Sequence, residues 1–410
     1  MDLILSLQCR WARHRKAVLA VLIALMAIAA VVWLGYETWR LVVQPEYLAG
    51  FRVHPGAIDL KQRFVEVNTW FSGLPVYGHI LTATYPPASY AMLWPFLGWL
   101  SEEAAVWLWL LTTALALALL ASLIIKESGA DAVQERLFIA LIPASMYATG
   151  ATIGNGQLMV HVLPALLAGL LLLERKDASW PNDLLATLLL LFALVKPNAA
   201  APFFWIVVFV PRRLRPITLV TTAYVLLTIL AVSFQETGLL TTLRDWSSQS
   251  LGVSEWASVD LSHGNVHSWL AAYGMERWNF PVSMALLLLL GTWTYWHRDA
   301  DLWVLIGVAG IVARLWTYHG WYDDLLILPA MISLFRSVKK DHDLLAFGLL
   351  GITLAVMTAP GMQYLLPPPY KDVGLGFQVL VWFALLAFLL HRAWRDKKAT
   401  DRRLLQVKPR

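Results

Sequence analysis

Long apolar runs separated by short clusters of basic residues divide this sequence from end to end. Hydrophobic residues make up 59% of the chain and charged residues 14%, more apolar surface than a soluble domain needs for its core. An apolar run of about 20 residues can cross a bilayer as a helix, because a helix satisfies its own backbone polar groups. We therefore expect an all-α polytopic membrane protein.

The basic clusters predict the topology, because lysine and arginine are enriched in cytoplasmic loops. These clusters lie at residues 10–16, around 126 and 136, and at 175–176, 212–215, 297–298, 336–340 and 392–410. If all are cytoplasmic, the apolar runs pair into about twelve transmembrane helices with both termini inside. This predicts one membrane domain over residues 1–410, in the inner (plasma) membrane, with a basic cytoplasmic tail at 392–410. The first run, residues 17–34, is interpreted as a retained signal anchor.

Two long segments fall on the outer side in this topology, residues 37–103 and 235–278. Within the first, residues 90–100 form a short apolar run that contains Pro95 and is followed by carboxylates instead of cations. We expect a re-entrant or interfacial helix there, since a full crossing would move the next basic clusters to the outer side. Nearly all unusual polar residues also fall on the outer side.

Charge and cysteine content argue against two classes of site. The net charge of +5 comes from short loop clusters instead of an extended basic face, so nucleic-acid binding is not expected. The single cysteine, Cys9, excludes an intrachain disulfide and a cysteine-based metal site. His263 and His267 have a spacing that suits two metal ligands on a helix, but Gly264 weakens a helix and no third ligand is obvious. Contacts of these histidines and Asn265 with substrate are expected instead.

The first outer loop contains two carboxylates in a segment, residues 57–71, whose apolar spacing predicts an amphipathic helix along the membrane. Asp59 stands at its start, and Glu66 follows two turns later on the same face. Asp59 could be a general base for a lipid-borne substrate, or it could cap the helix or pair with Arg63. Spacing alone favours the structural interpretation, and Glu66 is the second candidate carboxylate.

Two shorter outer turns carry polar residues with open interpretations. The turn at residues 154–157, which contains Asn155 and Gln157, could bind a sugar hydroxyl or simply join two helices. Lys196 lies between an apolar run and Pro197, at an outer helix end where positive charge is disfavoured. Its ammonium group could bind a lipid phosphate or extend to the lipid headgroups.

The densest polar stretch between two apolar runs is residues 314–324. Arg314 could neutralise a phosphate, and His319 could donate a hydrogen bond to one. Asp323 or Asp324 could orient or activate a hydroxyl. The alternative is internal pairing of Arg314 with the two aspartates.

Five short motifs follow one another in a recognisable order. They are Asp59, Gly73-Leu74-Pro75-Val76-Tyr77, Tyr85-Pro86-Pro87, Gly156-Gln157 and Lys196-Pro197. Over roughly residues 15–335 this pattern resembles glycosyltransferase family 87 of the GT-C superfamily, the polyprenol-phosphate-mannose-dependent mannosyltransferases. The commonest form of the family continues Gly-Gln with Val-Asn, where this chain has Leu158-Met159.

The resemblance implies a GT-C-like bundle with interfacial helices in the first outer loop. It implies an inverting transfer of a sugar, mannose in the family, from a polyprenyl-phosphate donor to a lipid or glycan acceptor at the outer face. Asp59 would deprotonate the acceptor, and Lys196, Arg314 and His319 would bind the donor phosphate. The other residues expected at the substrates are Glu66, Tyr85, Asn155, Gln157, His263, Asn265, His267, Tyr322, Asp323 and Asp324.

Two other functions are compatible with this architecture. A transporter or flippase of a lipid-linked or anionic solute would show internal repeats and charges near mid-membrane, whereas the polar residues here gather on one face. A ligase that moves a whole glycan from a lipid pyrophosphate would differ in its donor. Protein cations can stabilise a lipid phosphate leaving group, so we predict no metal or other cofactor. The expected partners are the donor, the acceptor and membrane lipids.

Overall fold

The computed structural model describes residues 2–44, 47–48, 51–174, 179–260, 264–361, 365–367 and 370–407. Helices dominate these residues. They are α1 (Asp2–Val43), α2 (Ile58–Phe71), α3 (Pro87–Leu97), α4 (Glu102–Ser128), α5 (Val133–Ser145), α6 (Tyr147–Asn155), α7 (Met159–Glu174), α8 (Trp180–Ala193), α9 (Pro197–Ala200), α10 (Phe204–Phe209), α11 (Arg215–Val232), α12 (Leu239–Asp260), α13 (Val266–Ala271), α14 (Asn279–Trp296), α15 (Leu302–Leu315), α16 (Leu328–Asp341), α17 (Leu344–Met357) and α18 (Tyr370–Val407).

Shorter elements complete the description. Short 3-10 helices occupy Ala201–Phe203, Glu276–Trp278 and Trp321–Ile327. Two-residue strands β1 (Tyr47–Leu48) and β2 (Phe51–Arg52) pair antiparallel, with Tyr47 opposite Arg52 and Leu48 opposite Phe51.

Among the described residues, four helical segments are long and apolar enough to cross a membrane. They are Ala17–Val43, Glu102–Ser128, Arg215–Val232 and Tyr370–Lys398. The number rises to six if two strongly bent helix pairs each count as one span. The prediction of an all-α polytopic membrane protein is confirmed. The count of about twelve crossings stays a prediction, because several apolar runs form short or broken helices in the described part of the chain.

Both bent pairs break at polar residues that the sequence analysis singled out. Helices α6 and α7 meet at 117°, and α8 meets the Pro197–Phe209 segment at 120°. Gly156 ends α6 with a φ of 73°, which suits glycine, and Pro197 starts α9 because it lacks a backbone N–H. Breaks within apolar helices are tolerated where they are buried in protein or line a polar cavity. Gln157 and Lys196 lie in these two breaks.

The first outer loop contains both expected short helices. Helix α2 covers the segment predicted from apolar spacing. Helix α3 has 11 residues, about 16 Å at 1.5 Å per residue, which is too short to cross a hydrocarbon core. Helix α1 extends through Val43, so Glu37 and Arg40, expected in the loop, belong to its last turns.

The second outer segment packs on the first. Helix α12 has 22 residues, and its Trp246 Nε1 donates to the Thr84 carbonyl at 2.9 Å. Gln249 Nε2 donates to the Leu81 carbonyl at 2.6 Å, and Gln249 Oε1 accepts from the Gly78 amide at 3.2 Å. The helix therefore holds the chain between α2 and α3.

Helix α15 is central, with nearly all of its side chains buried. Glycines allow close packing on it: a Cβ at Gly310 would overlap the Leu326 carbonyl, and one at Gly307 would lie 2.9 Å from the Leu389 side chain. The helix ends at Leu315, so Arg314 enters the protein interior at its carboxyl end, where a cation is favoured.

Candidate active site

A buried ion pair in α1 fixes the turn at residues 154–157. Arg40 Nε contacts Glu37 Oε2 at 2.7 Å, and its Nη2 donates to Asn155 Oδ1 at 2.7 Å. Arg40 Nη1 also donates to the Pro55 carbonyl at 3.0 Å. A Cβ at Gly154 would overlap Glu37 Oε2, so glycine is required for this approach. Asn155, predicted to contact substrate, therefore helps to fix the turn.

The same turn positions the start of α2. The amide of Ala57 donates to the Gly154 carbonyl at 2.8 Å. A Cβ on Gly156 would overlap Leu60 Cβ, so a larger residue would push α2 away. This contact brings the first turn of α2, with Asp59, next to Gln157.

Asp59 lies at the junction of α2 with both helix breaks. It is half-buried, and it forms a side-chain hydrogen bond with Gln157. Burial raises the pKa of Asp59, and the nearby charges of Arg63 and Lys196 oppose this rise. No side chain caps the amino terminus of α2, so the capping interpretation of Asp59 is wrong. The other structural interpretation was that Asp59 pairs with Arg63, and Arg63 does lie close to Asp59.

Lys196 is buried inside the protein at the second break. Its Nζ lies 2.5 Å from Asp323 Oδ1 and 3.3 Å from Gln157 Oε1. The ammonium group also lies 4.9 Å from the centre of the Tyr322 ring. The lysine therefore joins the turn that holds Gln157 to the polar stretch at residues 314–324.

The carboxylate of Asp323 contacts both Lys196 and His319. Burial disfavours its charged form, but Lys196 and His319 outweigh this and lower the pKa of Asp323 below its usual value. His319 Nδ1 lies 2.8 Å from Asp323 Oδ2, and burial lowers the pKa of His319. A neutral His319 that donates from Nδ1 to this carboxylate has an acceptor at Nε2. Its Nε2 is buried and has no hydrogen-bond partner among the described residues.

This geometry differs from the sequence expectation that His319 and Arg314 bind the donor phosphate. A neutral His319 presents an acceptor, which a phosphate oxygen does not favour. Arg314 Nε is paired with Asp324 Oδ1, as the alternative of internal pairing held. Asp324 also accepts from Tyr147 Oη and, at 3.1 Å, from Gln378 Nε2. This buried group connects α6, α15 and α18.

Glu66 and Arg63 lie on the buried face of α2. Arg63 Nη1 is 2.7 Å from Glu66 Oε2, which accepts from Tyr90 Oη at 3.2 Å. The guanidinium group lies 4.3 Å from the centre of the Tyr85 ring. Burial raises the pKa of Glu66 to about 7, against the opposing charge of Arg63. Arg63, which was considered as a partner of Asp59, thus forms its ion pair with Glu66.

The residues predicted in the second outer segment have internal partners. His267 is buried, with Nδ1 2.8 Å from Ser254 Oγ and Nε2 2.7 Å from Ser283 Oγ. Asn265 Oδ1 accepts from the Ser268 amide at 3.0 Å and begins α13. These contacts tie α12, α13 and α14 together, and a role of His267 or Asn265 at a substrate stays a prediction. His263 lies outside the described residues.

Four residues around this site were not predicted from the sequence as functional residues. Arg63 was considered only as a partner of Asp59. No role was predicted for Tyr147, Tyr318 or Gln378. Tyr318 is hydrogen-bonded to Thr84, and its ring centroid is 6.4 Å from that of His267. Gln378 offered a signal, because it is an amide within the apolar run at residues 373–390. Among the described residues, no group of three or more His, Cys, Asp and Glu side chains could hold a metal ion. That the protein needs no metal stays a prediction.

The family model of glycosyltransferase family 87 matches residues 83–360, more than half of the chain. The match includes Tyr85, Gln157, Lys196 and the stretch at residues 314–324, and it begins after Asp59 and Glu66. No curated protein and no solved structure matches the chain. The protein is a membrane glycosyltransferase, and the chain belongs to glycosyltransferase family 87.

Proposed function

We propose that the protein is an inverting glycosyltransferase of GT-C-like fold. It transfers mannose from a polyprenyl-phosphate-linked donor to a lipid or glycan acceptor at the extracytoplasmic face of the plasma membrane. Family membership supports glycosyl transfer and favours an enzyme over a transporter. The observation that carries the finer proposal is the position of Asp59, half-buried beside Gln157 and close to the cations Arg63 and Lys196.

Asp59 is the general base in this proposal. Burial raises the pKa of Asp59, and a carboxylate with a raised pKa accepts a proton more readily than an ordinary one. Its oxygen removes the proton of the acceptor hydroxyl as the hydroxyl oxygen attacks the anomeric carbon of the donor. The bond from that carbon to the phosphate oxygen breaks, and the polyprenyl phosphate leaves from the opposite side, which inverts the anomeric carbon.

The negative charge on the departing phosphate requires a cation nearby. Lys196 is suited to this role because it lies between Gln157 and Asp323 and is held by both. Asp323 compensates the lysine before substrate binds and so keeps a buried cation at the site. Gln157, Tyr85 and Tyr322 border the same region and are proposed to contact the sugars.

His319 is a second candidate base for the same reaction. Its Nδ1 contact with Asp323 has the geometry that orients a catalytic imidazole, and its Nε2 is unoccupied by any described residue. Asp59 is preferred because it is half-buried and accessible, whereas His319 is buried. The two assignments differ in the effect of a single substitution at each position.

The topology proposed is multi-pass with both termini in the cytoplasm. Ion pairs among the expected cytoplasmic clusters support it: Asp183 pairs with Arg213 and Arg215, and Glu135 pairs with Lys339. These residues lie at the amino-terminal ends of α5, α8 and α11 and at the carboxyl-terminal end of α16. None of these helix ends adjoins the breaks at Gln157 and Lys196. Basic residues at these ends are what cytoplasmic loops carry.

The test is sugar transfer by the purified protein in lipid nanodiscs, with radiolabelled polyprenyl-phosphate-mannose as donor and a membrane lipid extract as acceptor. We expect a labelled lipid or glycan product, with inversion at the anomeric carbon, and activity that survives a chelator. Transfer from nucleotide-activated mannose but not from the lipid donor would contradict the proposal. Abolition by the chelator with rescue by one divalent ion would contradict the metal-free mechanism.

A further inference from the structure

The Arg63–Glu66 pair is a buried salt bridge with unsatisfied atoms. Arg63 is 6% exposed and Glu66 is fully buried, with 2.7 Å between Arg63 Nη1 and Glu66 Oε2. Glu66 Oε1 has no hydrogen-bond partner among the described residues, and the close contact of Arg63 Nη1 with Glu66 Oε2 is an ion pair without hydrogen-bond alignment. A buried charged group that lacks partners costs free energy, so such a pair points to a ligand or to a change of protonation.

Arg63 borders the proposed reaction site. Its guanidinium lies over the Tyr85 ring at 4.3 Å, and its charge acts on both Asp59 and Tyr318. It stands one turn from Asp59 on the same helix. An anion that entered between Asp59 and Tyr85 would therefore meet this guanidinium.

Arg63 differs from the buried cation Lys196 in its counter-ion. Lys196 is paired with Asp323, whose pKa is held below its usual value, so this carboxylate stays ionised at neutral pH. The counter-ion of Arg63 is Glu66, whose pKa is raised by burial to about 7. Near neutral pH, Glu66 can therefore gain a proton and leave the guanidinium free for another anion.

We propose that Arg63 binds the phosphodiester of the lipid-linked donor and that Glu66 takes up one proton from solvent when it does so. The inference rests on the proposed function. A phosphate oxygen replaces the Glu66 carboxylate as the counter-ion of Arg63, Glu66 becomes a neutral carboxylic acid, and no covalent bond of the donor changes. Guanidinium groups suit this role because they can donate two hydrogen bonds to one phosphate.

Few other groups around Glu66 titrate in the same pH range. It is faced by Arg63 and Asp59 from α2, by Tyr90 from α3 and by Tyr77 from the segment between these helices. Tyr77 stays neutral because burial raises its pKa. Asp59 also has a raised pKa, so a variant at that position must separate its contribution from that of Glu66.

Proton uptake fixes the sign of the pH dependence. Donor binding favours protonated Glu66, so affinity is full below the pKa of Glu66 and falls as the pH rises through and above it. The limiting slope is roughly tenfold in dissociation constant per pH unit, since one proton is bound. The phosphodiester itself keeps one negative charge throughout this range and contributes no slope.

The experiment measures binding of a short-chain isoprenyl-phosphomannose, without acceptor, to the full chain in nanodiscs between pH 6 and pH 9. Wild type is expected to lose affinity above pH 7 with a slope approaching roughly tenfold per unit. Glu66→Gln is expected to bind with no pH dependence, and Asp59→Asn is expected to keep the slope. Calorimetry in buffers of different ionisation enthalpy counts the protons taken up.

Glu37→Gln is the matched control, because Glu37 and Arg40 form another buried pair with the same 2.7 Å separation. Glu37→Gln is expected to keep the wild-type slope, so a loss confined to Glu66→Gln is not a general effect of a broken buried pair. Arg63→Lys, which keeps the charge but not the planar fork, is expected to weaken binding at all pH values.

Two results would overturn the inference. A wild type that transfers the sugar and binds the probe without a pH slope would refute proton uptake and leave the proposed function intact. A slope that persists in Glu66→Gln would assign the proton to another group. Absence of both binding and transfer in the wild type would refute the proposed function, and the inference with it.

Discussion

At the scale of single residues, the site is built from buried charges that compensate one another. Asp323 pairs with Lys196 and His319, and Asp324 pairs with Arg314. Removal of one member of a buried pair is costly because the other charge stays in a poorly solvated position. Exposed pairs contribute little because water solvates both partners. The cost of a substitution should therefore follow burial and not the number of ion pairs.

The substitution Asp323→Asn tests whether the loss of a buried charge partner, here that of Lys196, destabilises the protein. The free energy of unfolding is expected to fall by about 3 kcal/mol or more, because Lys196 loses the charge that compensates it. Asp299→Asn is the control, since Asp299 and Arg212 form an exposed pair and its loss should have almost no effect. Thermal unfolding followed by tryptophan fluorescence compares the two. Equal effects would contradict the structural role of Asp323.

Local sequence could indicate the candidate residues but not their partners. The stretch at 314–324 stood out because it is polar between apolar runs, and Lys196 because it is a cation at an outer helix end. The partners of Asp324 are Arg314, ten residues away, Tyr147, and Gln378 in α18. Contacts between such distant segments depend on helix packing, which periodicity does not specify. Pairing of Arg314 with the aspartates could be expected from the sequence, but Tyr147 and Gln378 as further partners of Asp324 could not.

At the scale of elements, a glycine allows the break between α6 and α7 to approach α2. Gly156 and Gly129 have similar positive φ angles, 73° and 75°, but different surroundings. A Cβ on Gly156 would overlap Leu60, whereas one on Gly129 would meet nothing within 4 Å. Substitutions at Gly156 and Gly129 therefore distinguish two effects. Both strain the backbone, but only a substitution at Gly156 displaces a neighbouring helix.

Gly156→Ala is expected to reduce sugar transfer strongly, because α2 and Asp59 must move away from Gln157. Gly129→Ala carries the same strain, about 1 kcal/mol, and is expected to keep its activity. Transfer assays on both purified variants, normalised to folded protein, provide the comparison. Similar losses in both variants would show that the strain, and not the position of α2, limits activity.

Element boundaries were predictable where the pattern was strong. The amphipathic spacing of residues 57–71 gave α2 nearly to its ends. Turns at residues 154–157 and at Lys196 are predicted from the sequence, but the short length of the helices on either side of them is not, because the surrounding apolar runs have the composition of ordinary spans. Hydropathy values give the amount of apolar surface, but the bend of 117° arises at Gly156 and the bend of 120° arises at Pro197.

At the scale of the whole molecule, the proposed topology separates the reaction site from the basic loops. Ser72, at the end of α2, and Lys340, near the end of α16, are both exposed and should lie on opposite sides of the membrane. Since Cys9 is the only cysteine, one substitution provides a background without thiols.

In a Cys9→Ser background, Ser72→Cys is expected to react with a membrane-impermeant maleimide in intact cells. Lys340→Cys is expected to react only after the cells are permeabilised. Both variants must support sugar transfer, so that the labelled molecules are correctly inserted. Labelling of Lys340→Cys in intact cells would contradict the topology and the extracytoplasmic reaction.

The measurement that tests the account most directly is sugar transfer by Asp59→Asn beside the wild type in nanodiscs, with His319→Gln in parallel. The account predicts that Asp59→Asn loses at least roughly a hundredfold in transfer rate, as expected for a general base, and still folds and binds donor. Transfer at the wild-type rate by a folded Asp59→Asn variant would contradict the account. If His319→Gln alone then lost activity, the imidazole would be the base.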